Sequence, residues 1–175
     1  MTAYVALLRG INVGGHRKVP MAELRGVATD LGFEAVATYV QSGNLVFSAN
    51  GGPHEVRSRL EAAIAEHFGF EVDVALRSRD EWTSIAAGHP LDAPGRDPRF
   101  LHVVVLRDEP AAARLETLAP ERVVPEEVEL RGREVYVFYP NGSGRSRLVI
   151  DLGTPGTARN WRTVLALRDL LEAIE

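Results

Sequence analysis

The order of apolar segments in the first 78 residues is the feature that most narrows the folds open to this chain of 175 residues. Tyr4 to Arg9 is a short apolar run ending in an arginine, the pattern of a strand buried on both faces. A Gly-rich loop, Gly10 to Val19, leads to Pro20, which suits the first turn of a helix running to Leu31 and stopped by Gly32. Val36 to Val40 and Leu45 to Ser48 read as two strands joined by the tight turn Gln41-Ser42-Gly43-Asn44. A second helix ends at Phe68, with Val56, Leu60, Ile64 and Phe68 four residues apart on one face. Phe70 to Arg77 alternates as a fourth strand. The order β-α-β-β-α-β predicts a ferredoxin-like subdomain over residues 1–78.

The second subdomain, residues 79–175, opens with a short helix, Asp80 to Ala87, and a Pro/Gly-rich loop from Gly88 to Pro98. Phe100 to Leu106 predicts a strand and Pro110 to Leu118 a helix. Val123 to Leu130 and Glu134 to Tyr139 form a hairpin about Arg131-Gly132. Asn141 to Thr157 is loop-like. Ala158 to Ile174 predicts the closing helix, with Thr157 as its N-cap. The expected fold class is therefore α+β, with two packed subdomains. The first is ferredoxin-like and the second has a related α-β-α-β-β-α order in which no final strand is visible.

The first-half order has a geometric consequence. Strands one and two run parallel with the third antiparallel between them, so their carboxyl ends share one edge. That edge collects Arg9, Gly10, Asn12, Gly14, Gly15 and Lys18 with Gln41, Ser42 and Asn44, beside a helix N-terminus whose N–H groups attract anions. Lys18 is the single lysine among the 20 basic residues. The glycine spacing matches neither a Walker nor a Rossmann fingerprint, and such turns also arise simply because a chain must reverse.

In the closing helix, steps of 100° put Val164, Leu167, Leu171 and Ile174 on one face, with Asn160 inward in the first turn and Arg159 and Arg162 on the other side. Trp161 is expected in the core. With Arg145 and Arg147, these arginines make four against a single acid, Asp151, between Asn141 and Thr163, in a chain whose formal net charge is −4. That local excess points to an anionic partner.

The chain has no cysteine, which excludes disulfides and thiolate chemistry and fits a cytoplasmic setting. No apolar stretch is long enough to span a bilayer. The five histidines show no metal-ligand spacing, and no cofactor is implied. His16, in the Gly-rich loop, is the histidine suited to act as an acid or base.

The opening Y-V-A-L-L-R-G-I-N-V-G-G-H-R-K-V-P-M, the turn Y-V-Q-S-G-N-L-V-F, the stretch V-Y-V-F-Y-P-N-G-S-G-R-S-R-L and the segment T-A-R-N-W-R-T-V resemble the bacterial family called domain of unknown function 1697. The resemblance runs over nearly the whole chain and implies an α+β fold of two subdomains, with no settled activity. The residues that carry it are Arg9, Gly10, Asn12, Gly14, Gly15, Lys18, Gln41, Ser42, Gly43, Asn44, Arg145, Ser146, Arg159, Asn160 and Trp161. The chain departs from the family in having Arg147 where lysine is usual, and in a shortened segment from Leu148 to Gly156.

Three functions follow as expectations. The first is binding of a phosphate-bearing or other anionic ligand, a nucleotide, phosphorylated small molecule or nucleic acid, in a cleft between the subdomains. Its candidate residues are Arg9, Asn12, Gly14, Gly15, Lys18, Gln41, Ser42, Asn44, Arg145, Arg147, Arg159, Asn160 and Arg162. The second is an enzyme on a small anionic substrate with Lys18 or His16 as the reactive group. The third is an interaction or structural module, without a ligand, whose polar motifs only lock the two subdomains together.

Overall fold

A computed structural model describes residues 1–174. Its internal contacts divide the chain into one unit of residues 1–84 together with the chain end from Ala166, and a second unit, Ile85–Leu165.

The first unit follows the predicted order. Strand β1 (Thr2–Leu8), helix α1 (Met21–Asp30), strands β2 (Glu34–Tyr39) and β3 (Asn44–Ala49), helix α2 (Pro53–Phe68) and strand β4 (Val74–Ser78) build a sheet ordered β2-β3-β1-β4. Every neighbouring pair is antiparallel, so β1 and β2 run parallel on either side of β3, the ferredoxin-like arrangement. Alternation along β1 and β3 sends Tyr4, Ala6, Leu8, Leu45 and Phe47 to one face, where they pack with Leu24 of α1 and Leu60 and Ile64 of α2. Burying side chains the size of Leu60 or Ile64 contributes about 1.5–3 kcal/mol each. Proline opens α2 and Gly69 closes it in the left-handed conformation, the asymmetry expected of helix ends.

Helix α3 (Arg79–Ala86) leaves β4 through a reciprocal cap. The Ser78 N–H donates to Glu81 Oε2 at 2.8 Å and the Glu81 N–H donates to Ser78 Oγ at 3.3 Å, so two donors without helical partners are satisfied together.

The second unit holds strands β5 (Leu101–Leu106), β6 (Glu127–Arg131), β7 (Glu134–Phe138) and β8 (Gly156–Asn160), ordered β6-β7-β5-β8. This repeats the strand order of the first unit, with β5 in the place of β1 and β8 in the place of β4. Val104, Leu106, Val135, Val137 and Tyr139 form one core face, covered by Leu152 and flanked by Leu118, Leu148 and Ile150.

The second unit departs from the sequence expectations at the start of the closing helix and in the segment ending at Leu118. The closing helix, α5 (Trp161–Glu172), starts three residues later than expected, because Gly156–Asn160 is a strand paired along β5. Thr157 is thus a strand residue, and the helix is capped by Asn160, whose Oδ1 accepts from the Thr163 N–H at 2.9 Å. Asn160 is exposed, not turned into the core. The residues expected as a helix up to Leu118 form a 3-10 segment, Ala112–Leu118, followed by the single-turn helix α4 (Pro120–Val123). Pro120 has no N–H to offer the Glu116 carbonyl, and the Ala119 N–H closes on it at 3.1 Å instead, which tightens the turn.

Candidate functional site

At the loop edge of the first unit, Asn12 is the organising side chain. It adopts φ 53°, a conformation that asparagine tolerates better than most residues. Its Oδ1 accepts from the Val19 N–H at 2.8 Å, and its Nδ2 donates to the Val19 carbonyl at 2.9 Å and to the Gln41 carbonyl at 2.7 Å. One amide therefore closes the Gly-rich loop and fastens it to the Gln41–Asn44 turn. Buried Asn44 does similar work, donating to the Tyr39 carbonyl at 2.9 Å and to Ser42 Oγ at 2.8 Å. Gly43 has φ +78°, and its carbonyl accepts from the Leu8 N–H at 2.9 Å.

The predicted edge therefore exists, and Asn12 and Asn44 spend their polar groups on holding it. The side chains left facing solvent there are Arg9, His16, Lys18, Gln41 and Ser42, with Gly14 and Gly15 exposed between them. Arg17, which sequence reasoning passed over, donates to the Glu71 carbonyl and lies 5.1 Å over the Phe70 ring. The residue just before Lys18 is therefore anchored to the segment before β4.

In the second unit the four arginines separate. Arg159 is buried on β8, donating to Thr157 Oγ1 at 2.7 Å and to the Ala158 carbonyl at 2.9 Å. Burial pulls its guanidinium down to about 10, so it stays charged at neutral pH. Arg162 is exposed in the first turn of α5. Arg145 and Arg147 line a cavity of about 290 Å³ together with Arg122, Glu126 and Asn141, walled by Val123, Val124, Pro125 and Leu148. Arg122, Arg145 and Arg147 are exposed, and none of their side chains makes an ion pair or hydrogen bond among the described residues. Guanidiniums gathered without carboxylate partners keep their donors for an anion.

Sequence reasoning missed Arg122 and Glu126. Arg122 stands on the single turn of α4, and Glu126, only 7% exposed, lies just before β6. Nothing in the local run E-R-V-V-P-E-E-V marks one of its acids as buried; only the tertiary fold does. No group of histidine, cysteine and acidic residues suited to a metal ion occurs among the described residues, nor a helix long and apolar enough to cross a membrane.

Trp161 is buried as expected and meets the His89 ring edge-on at 5.3 Å; His89 in turn meets Tyr136 at 5.1 Å. His89 Nε2 lies 2.9 Å from the His102 carbonyl, and its Nδ1 accepts from the Leu91 N–H at 3.2 Å. These partners require the neutral Nε2–H tautomer.

No curated protein matches the chain. Among solved structures it is similar to a conserved bacterial protein, SP0830 from Streptococcus pneumoniae, with 26% identity and a TM-score of 0.75, covering 97% of this chain and 98% of that one. A family model described as protein of unknown function (DUF1697) matches residues 1–136. The match takes in the Gly-rich loop, the Gln41–Asn44 turn, α4 and Glu126, while Arg145 and Arg147 lie beyond it. The chain belongs to this family, DUF1697.

Proposed function

We propose that this protein binds a phosphate-bearing or other anionic small molecule, in the cavity lined by Arg122, Arg145 and Arg147. The observation that carries this reading is the convergence of three guanidiniums, free of ion pairs among the described residues, on one concave space in a chain of net charge −4. Several other arginines of the second unit are paired with carboxylates, as Arg114 is with Asp151 at 2.7 Å and Arg96 with Glu127 at 2.6 Å. The Asn141–Arg147 segment supports the same reading, since one short loop carries two of the three cavity arginines, Arg145 at the end of a 3-10 turn, Ser143–Arg145, and Arg147 just beyond it. The cysteine-free sequence suits a cytoplasmic ligand.

The test is a thermal-shift screen of phosphorylated metabolites and nucleotides against the full chain and two triple variants. One carries Arg122, Arg145 and Arg147 as alanine; the other carries Arg9, Gln41 and Lys18 as alanine. A ligand at 100 times its Kd adds about 2.7 kcal/mol of stability. The shift should vanish in the first variant and persist in the second. Loss in the second alone would move the site to the Gly-rich edge, and no shift with any anion would refute the reading.

A further inference from the structure

The arginine cavity contains one residue that an anion site alone does not explain. Glu126 lines it, is 7% exposed, and its carboxylate has no hydrogen bond or ion pair among the described residues. Its carboxylate oxygens stay accessible although the rest of the side chain is covered, and a carboxylate facing an incoming phosphate repels it. Its own backbone is engaged, the Glu126 N–H donating to the Val123 carbonyl at 3.0 Å. Tyr139 is buried nearby, and its phenol is held above the usual range by burial first and by the Glu126 charge second. An accessible carboxylate that lines the cavity without a partner among the described residues is able to accept from donors on a ligand.

Charge and shape narrow what those donors are. Three guanidiniums and one carboxylate leave a formal excess of two positive charges around the cavity. A phosphate monoester carries about −1.5 to −2 at neutral pH, which balances that excess if the rest of the ligand is uncharged. An ammonium in the same ligand would restore a positive surplus among the arginines. Hydroxyls supply donors without charge, and carboxylate side chains recognise vicinal sugar hydroxyls in this way. The lining holds no aromatic ring to stack a base, only Val123, Val124, Pro125 and Leu148. The volume lies at the small end of ligand pockets, which span about 300–1,000 Å³.

We propose that the cavity is specific for a phosphorylated polyol of sugar-phosphate type, with Arg122, Arg145 and Arg147 holding the phosphate and Glu126 accepting from the hydroxyls. This rests on the anion-binding reading above and assigns the ligand class to it.

Isothermal titration of the full chain with ribose 5-phosphate, inorganic phosphate, phosphoethanolamine and ribose tests it, with Glu126→Gln and Glu126→Asp as variants. In the unaltered protein ribose 5-phosphate should bind at least about tenfold more tightly than inorganic phosphate or phosphoethanolamine. Glu126→Gln should remove most of that preference while leaving inorganic phosphate bound as well or better, because a repelling charge has gone. Equal affinity for ribose 5-phosphate and inorganic phosphate, or tighter phosphoethanolamine binding, would overturn the polyol assignment and leave the anion site standing. Failure of all the phosphate compounds to bind would overturn the polyol-phosphate assignment, and the anion reading falls with it only if the thermal-shift screen also finds no anion. If Glu126→Gln does not fold, the comparison among ligands on the unaltered chain decides alone.

Discussion

Gly43 offers the sharpest test of how the loop edge of the first unit is built. A Cβ added there would stand 2.8 Å from Leu8 Cβ and 2.8 Å from Ile11 Cδ1, at φ +78°. Carbon atoms rest at about 3.5–4.0 Å, so both neighbours are inside their contact distance. Ile11 Cδ1 is the end of a side chain and can swing; Leu8 Cβ is one bond from its backbone and is held by the Leu8 N–H bond to the Gly43 carbonyl. For Gly43→Ala the left-handed conformation costs about 1–2 kcal/mol and the overlap about 1–3 kcal/mol, giving a central value of about 3.5 kcal/mol. For a chain of this size that lowers Tm by about 7–14 °C. Gly15 is the control: its φ is +76°, but nothing lies within 4 Å of the added carbon, so Gly15→Ala should cost only the conformational part, about 1–2 kcal/mol. Thermal and urea unfolding followed by circular dichroism would measure both. Equal losses at the two sites would refute the claim that close packing, rather than backbone conformation alone, requires glycine at 43.

Two further outcomes follow from the second unit. Burial holds His89 below its usual range, outweighing the His102 carbonyl and the carboxylate of Asp92, and burial lowers His102 as well. The unfolded chain therefore takes up protons first, so stability is full above about pH 6.5 and falls on acidification below it, by at most about 1.4 kcal/mol per pH unit for each histidine. Urea midpoints between pH 7.5 and 5 should show this, and a His89→Gln chain with an unchanged slope would contradict it. Trp161→Ala should cost about 3–5 kcal/mol; in a Trp82→Phe background, Trp161 emission that is red-shifted and readily quenched would count against its burial.

The first unit was legible because its strands and helices carry their periods openly. Val56, Leu60 and Ile64 repeat at helical spacing and are all fully buried, and the glycines at 32, 43 and 69 stand where the chain takes positive φ. Strand β8 was not legible. Its inward positions are Thr157 and Arg159, both polar and both buried, so the alternation that betrays a strand is written in residues that usually face water. The run Trp161 to Leu171 is strongly helical in pattern, and reading it backwards absorbed the strand. Among the candidate site residues, the loop edge followed from strand order alone. The separation of Arg145 and Arg147 from Arg159 did not, because it depends on where β8 ends the loop.

The two units also differ in what joins their last two strands. In the first, sixteen residues form α2, whose amides are bonded turn upon turn. In the second, the segment after Tyr139 closes only isolated turns: Gly142 N–H to Tyr139, Arg145 N–H to Gly142 and Ser146 N–H to Ser143, at 3.0–3.3 Å. Amide protons behind single bonds of this kind exchange with solvent through small local openings, whereas those of a packed helix wait for larger ones. The segment that presents Arg145 and Arg147 is thus built to exchange early in hydrogen–deuterium labelling while α2 stays protected. An anion bridging its arginines would draw down the same openings, so the exchange rate of residues 142–148 reads occupancy of the cavity without any change of fold.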